Sequence, residues 1–217
     1  MSANERPVAI INNGSHYVGP HLARTLAAKG FDLVVGDPAP GLTEELEPHG
    51  GSTWVVDNAT DLADPTAAPR LLDMAMDAYG RIDSAVFFTG DIVVGSFLKS
   101  SAEDLERVVR GNIESVYRAL RVFLPPMVER GSGQVLAITS ASALRPTPGA
   151  PLYSSTRAAA NMLVRNAASE VASSGVQVNA VGTNFMDFPG FLTASGADTP
   201  EGLAKTVAQV PMARLGT

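Results

Sequence analysis

Short runs of apolar, largely β-branched residues alternate along the chain with longer segments whose apolar positions recur at helical spacing. The runs Val8–Asn12, Phe31–Asp37, Ser52–Asp57, Ser84–Thr89, Gln134–Thr139 and Val176–Val181 predict six strands. Between them the helical pattern covers His21–Lys29 (closed by Gly30), a short stretch at Thr43–Glu47, Ala67–Tyr79 (closed by Gly80), and the segment from Pro151 to about Ala172. Ser101-Ala102-Glu103-Asp104 has the form of an N-cap followed by an acidic first turn. It opens a long helix to about Arg130, which Pro125-Pro126 should kink or end. The strands are apolar on both faces, as they must be when helices cover a parallel sheet from both sides. The pattern predicts a doubly wound, three-layer α/β fold, one domain across residues 1–217, with no repeats or linkers.

Composition narrows the field. Acidic residues exceed basic ones, 22 to 16, for a net charge of −6. Without a basic block, neither nucleic acid nor an anionic membrane is an expected partner. Charged residues make up 18 % of the chain, below the roughly 25 % norm, as a large core or a buried subunit contact would produce. There is no cysteine, which excludes disulfides, thiol nucleophiles and thiolate metal sites. His16, His21 and His49 do not stand at ligand spacing, so no metal is expected. The start, Met1 to Pro7, has no signal-peptide pattern, and no apolar run approaches ~18 residues. A soluble, cytoplasmic protein is expected.

Two stretches carry chemistry. Strand five ends at Ser140, twelve residues precede Tyr153, and three more precede Arg157. Tyr153 and Arg157 are i and i+4, on one helix face, and a serine at the carboxyl end of a parallel strand lies where such sheets place ligands. Arginine cannot release its proton. Its charge ~4 Å from a phenolate favours the ionised form by about 4 kcal/mol at an effective dielectric of 20, which makes Tyr153 a usable general base. The second stretch is the turn after strand one, Ile11-Asn12-Asn13-Gly14-Ser15-His16-Tyr17-Val18-Gly19. A dinucleotide site needs glycines there so that backbone can press against the pyrophosphate.

The Ser-Tyr-Arg spacing resembles the Ser-Tyr-Lys arrangement of short-chain dehydrogenases/reductases. Against that family's turn, T-G-x-x-x-G-x-G, only Gly19 is in register; Asn13 and Tyr17 replace the other glycines. A phenol ring at Tyr17 would fill space that a nicotinamide needs. Asp37, which would hold a ribose in an NAD enzyme, then reads as a loop cap, and Asn112 as structural. Both departures together resemble the halohydrin dehalogenases, Rossmann-like relatives that work without a cofactor. That resemblance implies conversion of vicinal haloalcohols to epoxides with halide release, and the reverse opening of epoxides by azide, cyanide or nitrite. Ser140 would hold the substrate oxygen, Tyr153 take its proton, and Arg157 support the tyrosinate. Tyr17, Thr183, Asn184, Phe185 and Met186 would receive the halide. Thr89 and Ser142, at strand ends, and Phe188 and Phe191 would face substrate. A homotetramer is implied, its helices near 101–130 and 153–172 paired through residues such as Val116, Leu120, Phe123, Met162 and Leu163. The family pattern also continues past residue 217 with a helix and a strand. Two alternatives stay open: a reductase that still uses NAD(P)H despite its turn, and a catalytically silent regulator.

Overall fold

The computed structural model describes residues 6–216, apart from the side chains of residues 189, 190 and 194. Six parallel strands form one sheet: β1 (Val8–Ile11), β2 (Asp32–Gly36), β3 (Thr53–Val56), β4 (Ser84–Phe88), β5 (Gly133–Ser140) and β6 (Val176–Thr183), in the order β3-β2-β1-β4-β5-β6. The helices are α1 (Gly19–Ala28), α2 (Leu42–Leu46), α3 (Ala67–Tyr79), α4 (Ala102–Val109), α5 (Ser115–Arg130), α6 (Pro151–Val171), α7 (Pro189–Ser195) and α8 (Pro200–Val207). This is the Rossmann-like, three-layer α/β fold that the pattern predicts. Strand order reverses between β1 and β4, so a crevice opens at their carboxyl ends.

Alternation within the strands sorts the core into two halves. Ala9, Ile11, Leu33 and Val35 pack against Ala23 and Ala27 of α1 and Leu42 and Leu46 of α2. Val8, Ile10 and Val34 face the other way, onto α3, α5 and α6, where Leu71, Phe123 and Val164 are buried. Every β1 side chain is consequently buried, which explains its unbroken apolar run. Among the described residues no helix is long and apolar enough to cross a membrane.

Several features differ from the sequence expectation. β5 and β6 run on to Ser140 and Thr183, which stand opposite each other in the ladder. The expected 101–130 helix is two α-helices joined by a π-helical turn, Arg110–Glu114. Gly111 permits this close approach, since a Cβ there would stand 2.8 Å from that of Asp91. Pro125-Pro126 do not end α5, which continues to Arg130 and closes at Gly131 in the left-handed region. Burial of Phe123, Leu124 and Met127 around the prolines holds the helix where its own ladder lacks donors.

At the opposite, amino end of the sheet, Asp83 joins three strands. Its backbone N–H donates to Val8 O, its carbonyl accepts from Gln134 N, and its carboxylate accepts from Val8 N at 2.8 Å. Burial pushes the carboxyl's pKa up, but the Arg81 bonds, the Val8 N–H and Arg130 outweigh it and leave it below the usual value. Asp83→Asn should therefore lower stability by about 1–2 kcal/mol, solvent screening included. A depressed carboxyl stabilises the fold above its unfolded pKa, and that contribution disappears as pH falls through the folded one. Urea midpoints of the two proteins should thus differ at pH 7 and converge below about pH 4.

Candidate active site

The carboxyl ends of β1, β4, β5 and β6 border one groove of about 760 Å³, completed by the first turn of α6 and the loop after β3. It brings together Tyr17, Thr89, Ser140, Tyr153, Arg157, Thr183, Asn184 and Phe191, eight of the residues that the sequence singles out.

Ser140, at the end of β5, opens a 3-10 turn over Ala141–Leu144. Its Oγ accepts from Ser142 N at 3.2 Å and from Ser142 Oγ at 2.8 Å. With both acceptor sites engaged, the Ser140 O–H is left to donate into the groove. Ser142 itself lies outside the groove and faces a separate cavity with Phe97, Pro146 and Pro148. Its link to the groove is the pair of bonds to Ser140 Oγ.

Tyr153 stands in the first turn of α6, and Arg157 one turn on. The Arg157 guanidinium lies over the Tyr153 ring, 5.1 Å from its centroid, so its charge reaches the phenol across the ring face. Arg157 is only 7 % exposed. Its Nη2 donates to Thr89 O, while Nε and Nη1 are buried without a hydrogen-bond partner, as is Thr89 Oγ1. Gly90 makes room for this guanidinium: at φ +143°, a Cβ there would fall on Arg157 Nη2 and 2.6 Å from Asn112 Oδ1. Asn112, fully buried in the π-helical turn, donates to Asp91 O at 2.8 Å and Thr156 Oγ1 at 3.0 Å and accepts from Asp91 N. It thereby fastens the loop after β4 to α6.

The turn after β1 is filled by its own side chains. Asn13 Oδ1 accepts from Ser15 N, Ser15 Oγ and His16 N at 3.0–3.1 Å. Tyr17 sits at φ +55° and donates to Thr183 Oγ1 at 2.7 Å, which in turn donates to Thr139 O. Its ring meets Phe88 at 6.0 Å and Phe188 at 5.2 Å. Burial raises the Tyr17 pKa, with Tyr153 adding to the effect and the Thr183 bond and Arg157 opposing it, so this second phenol stays protonated at neutral pH. Asp37 is a loop cap: its carboxylate accepts from the N–H groups of Asn58, Ala59 and Thr60 and from the Thr60 hydroxyl. Burial would raise its pKa, but these donors together hold it below the ordinary range.

Other expected lining residues fall elsewhere. Phe185 packs edge-on against Phe191 at 6.0 Å, and Met186 bridges to Gly216. Phe188 is held between Tyr17 and His21 of α1. Sequence reading missed the far arm of the groove, where Asp61, Leu62 and Ala63 follow β3. Arg110 there pairs with Asp61 at 2.9 Å, and Arg107 with Asp91 at 2.6 Å. The rule that ligands lie beyond the carboxyl ends of the strands applies to the loop after β3 as much as to the others, and would have pointed there.

A family model described as short chain dehydrogenase matches residues 7–198. A 2,5-dichloro-2,5-cyclohexadiene-1,4-diol dehydrogenase, LinX, of Sphingobium indicum is 28 % identical over 213 residues, spanning 96 % of this chain and 83 % of LinX. A 3-oxoacyl-[acyl-carrier-protein] reductase of Synechocystis is 29 % identical over 223 residues, covering all of this chain and 86 % of the reductase. The solved structure of ElxO with NADP bound superposes with a TM-score of 0.85 at 20 % identity, over 98 % of this chain and 87 % of that one. The expectation of a carbon–halide lyase is overturned by these findings: the matching model is of dehydrogenases, and the relatives are a dehydrogenase and a reductase. Asn13, Tyr17 and Arg157, which suggested dehalogenation, are local substitutions in a frame that otherwise matches from β1 to beyond α7. The chain belongs to the short-chain dehydrogenase family.

Proposed function

We propose that the protein is an oxidoreductase that interconverts a small secondary alcohol and the corresponding ketone with a nicotinamide dinucleotide. The observation that carries this reading is the convergence in one groove of a donor-set Ser140 and of Tyr153 beside a buried Arg157 whose Nε and Nη1 lack partners. The same orphaned donors test the fit of the nucleotide. Arg157 and Thr89 line a groove that also reaches Asp61, Leu62 and Ala63, and a small rotation of their side chains would let ribose hydroxyls satisfy these buried groups. Arg157 and Thr89 would hold the ribose, and the loop after β3 the far end of the nucleotide. The bound nicotinamide supplies or accepts the hydride.

The protein's own part is handling the oxygen. Ser140 donates to the ketone oxygen and polarises it. As negative charge grows there, Tyr153 passes its phenolic proton to it, and the Arg157 cation over the ring steadies the tyrosinate that remains. Oxidation of the alcohol runs the same steps backward. Arg157 keeps its proton throughout and so acts by charge and by its donors. Names of relatives that carry a dehydrogenase and a reductase activity support the assignment.

Calorimetric titration with NADH and NADPH, followed by ethyl acetoacetate reduction, tests it directly. Saturable binding of one nucleotide and its oxidation by the keto ester are expected. A protein that binds neither nucleotide at millimolar concentration overturns the reading.

A further inference from the structure

We infer that Tyr17 sets nucleotide affinity in this groove: its phenol clasps Thr183, and the clasp must open before a dinucleotide can lie along the full length. The inference rests on the oxidoreductase reading above. Tyr17 lines the same groove as Asp61–Ala63 and as Ser140 and Tyr153.

Four observations combine. First, the clasp is anchored, because Thr183 Oγ1 accepts a hydrogen bond from the Tyr17 hydroxyl and donates one to Thr139 O in the neighbouring strand. The bond therefore runs from the turn after β1 to the backbone of β5, the strand that ends in Ser140. Second, the ring is gripped on both sides, by Phe88 of β4 and by Phe188, which also stacks on His21 of α1 at 5.8 Å. The segment after β6 is thus pinned to α1 through the same residue. Third, Tyr17 occupies φ +55°, a conformation that side chains other than glycine's adopt only when their surroundings hold them there. Fourth, Asn13 Oδ1 takes the N–H groups of Ser15 and His16, donors of the kind that an anionic pyrophosphate seeks at such a turn. The free protein therefore satisfies its first turn with its own side chains.

None of these contacts is a backbone obstruction. Rotation of Tyr17 about its side-chain bonds breaks the Thr183 bond and withdraws the phenol from the groove it lines, and a turned Asn13 frees two backbone donors. Binding then competes with the closed arrangement, and the apparent affinity is lowered by the fraction of molecules that are open.

Tyr17→Phe removes the hydroxyl and keeps the ring; Tyr17→Gly removes both and suits the backbone conformation. Two measurements separate the possibilities: calorimetric Kd for NADPH and NADH, and hydrogen exchange of residues 183–191 without ligand. Tyr17→Phe should bind about five- to tenfold more tightly, the worth of one neutral hydroxyl bond, Tyr17→Gly more tightly still, and both should exchange faster over 183–191. Equal affinity in all three proteins would overturn the inference and leave the oxidoreductase reading intact. Tighter binding by Tyr17→Gly alone, with affinity and exchange unchanged in Tyr17→Phe, would also overturn it, by assigning the gain to ring volume. If no protein of the three binds either nucleotide, the oxidoreductase reading and the role in affinity fall together, and faster exchange in Tyr17→Phe would then leave only the clasp.

Discussion

Tyr153→Phe should reduce ethyl acetoacetate turnover by about 10²–10⁴-fold, the range that a positioned acid–base group supplies, with little change in nucleotide Kd or thermal midpoint. The ring stays under the Arg157 guanidinium and keeps its packing, so only the exchangeable proton is lost. Tyr17 cannot replace it. Its proton is committed to Thr183, and burial keeps its phenol un-ionised at neutral pH. Ser140 cannot replace it either, because a serine hydroxyl that already accepts from Ser142 N and Oγ is set to donate a hydrogen bond, not to cycle a proton at neutral pH. Initial rates of NADPH oxidation with the keto ester, alongside circular-dichroism melts, check the prediction. A variant that keeps more than a tenth of wild-type kcat with an unchanged melt would show that the proton comes from elsewhere.

That Ser140, Tyr153 and Arg157 share one groove was legible because these residues are close in sequence and regular in geometry. Ser140, Tyr153 and Arg157 follow from a strand end and an i, i+4 pair on one helix, both set by local periodicity. The inner strands were legible for a related reason: a sheet covered on both faces leaves an unbroken apolar run such as Val8–Ile11. What escaped was non-local. The Tyr17–Thr183 bond joins residues 166 apart, and nothing in either segment announces the other. The direction of the Ser142–Ser140 bonds depends on a 3-10 turn that has no periodic signature. Pro125-Pro126 read as a kink or an end to the regular helix because local propensity cannot see Phe123 and Met127 buried beside them. Function was misread for the opposite reason, by giving too much weight to local detail. Three substitutions in the turn and the triad outweighed a frame that extends from residue 7 to 198.

Gly90→Ala should damage both the fold and the site, because the methyl group falls on side chains of the groove. The added Cβ would collide with Arg157 Nη2 and lie 2.6 Å from Asn112 Oδ1, and neither neighbour has room to retreat. Asn112 is fully buried and tied to Asp91 and Thr156, while Arg157 is 7 % exposed and bonded to Thr89 O. The backbone at φ +143° adds strain that glycine does not feel. Together these should lower stability by about 2–4 kcal/mol. Displacing the guanidinium from the Tyr153 ring by even an ångström should lower turnover by about 10²-fold. Arg157→Lys separates the clash from general damage, because lysine has no Nη2 to meet the new methyl. In a double-mutant cycle, Gly90→Ala/Arg157→Lys should therefore be more stable than the sum of the single losses, with a coupling above about 0.5 kcal/mol. Strict additivity in urea denaturation would mean that Gly90 serves the loop alone, and that the space it leaves is not what admits the arginine.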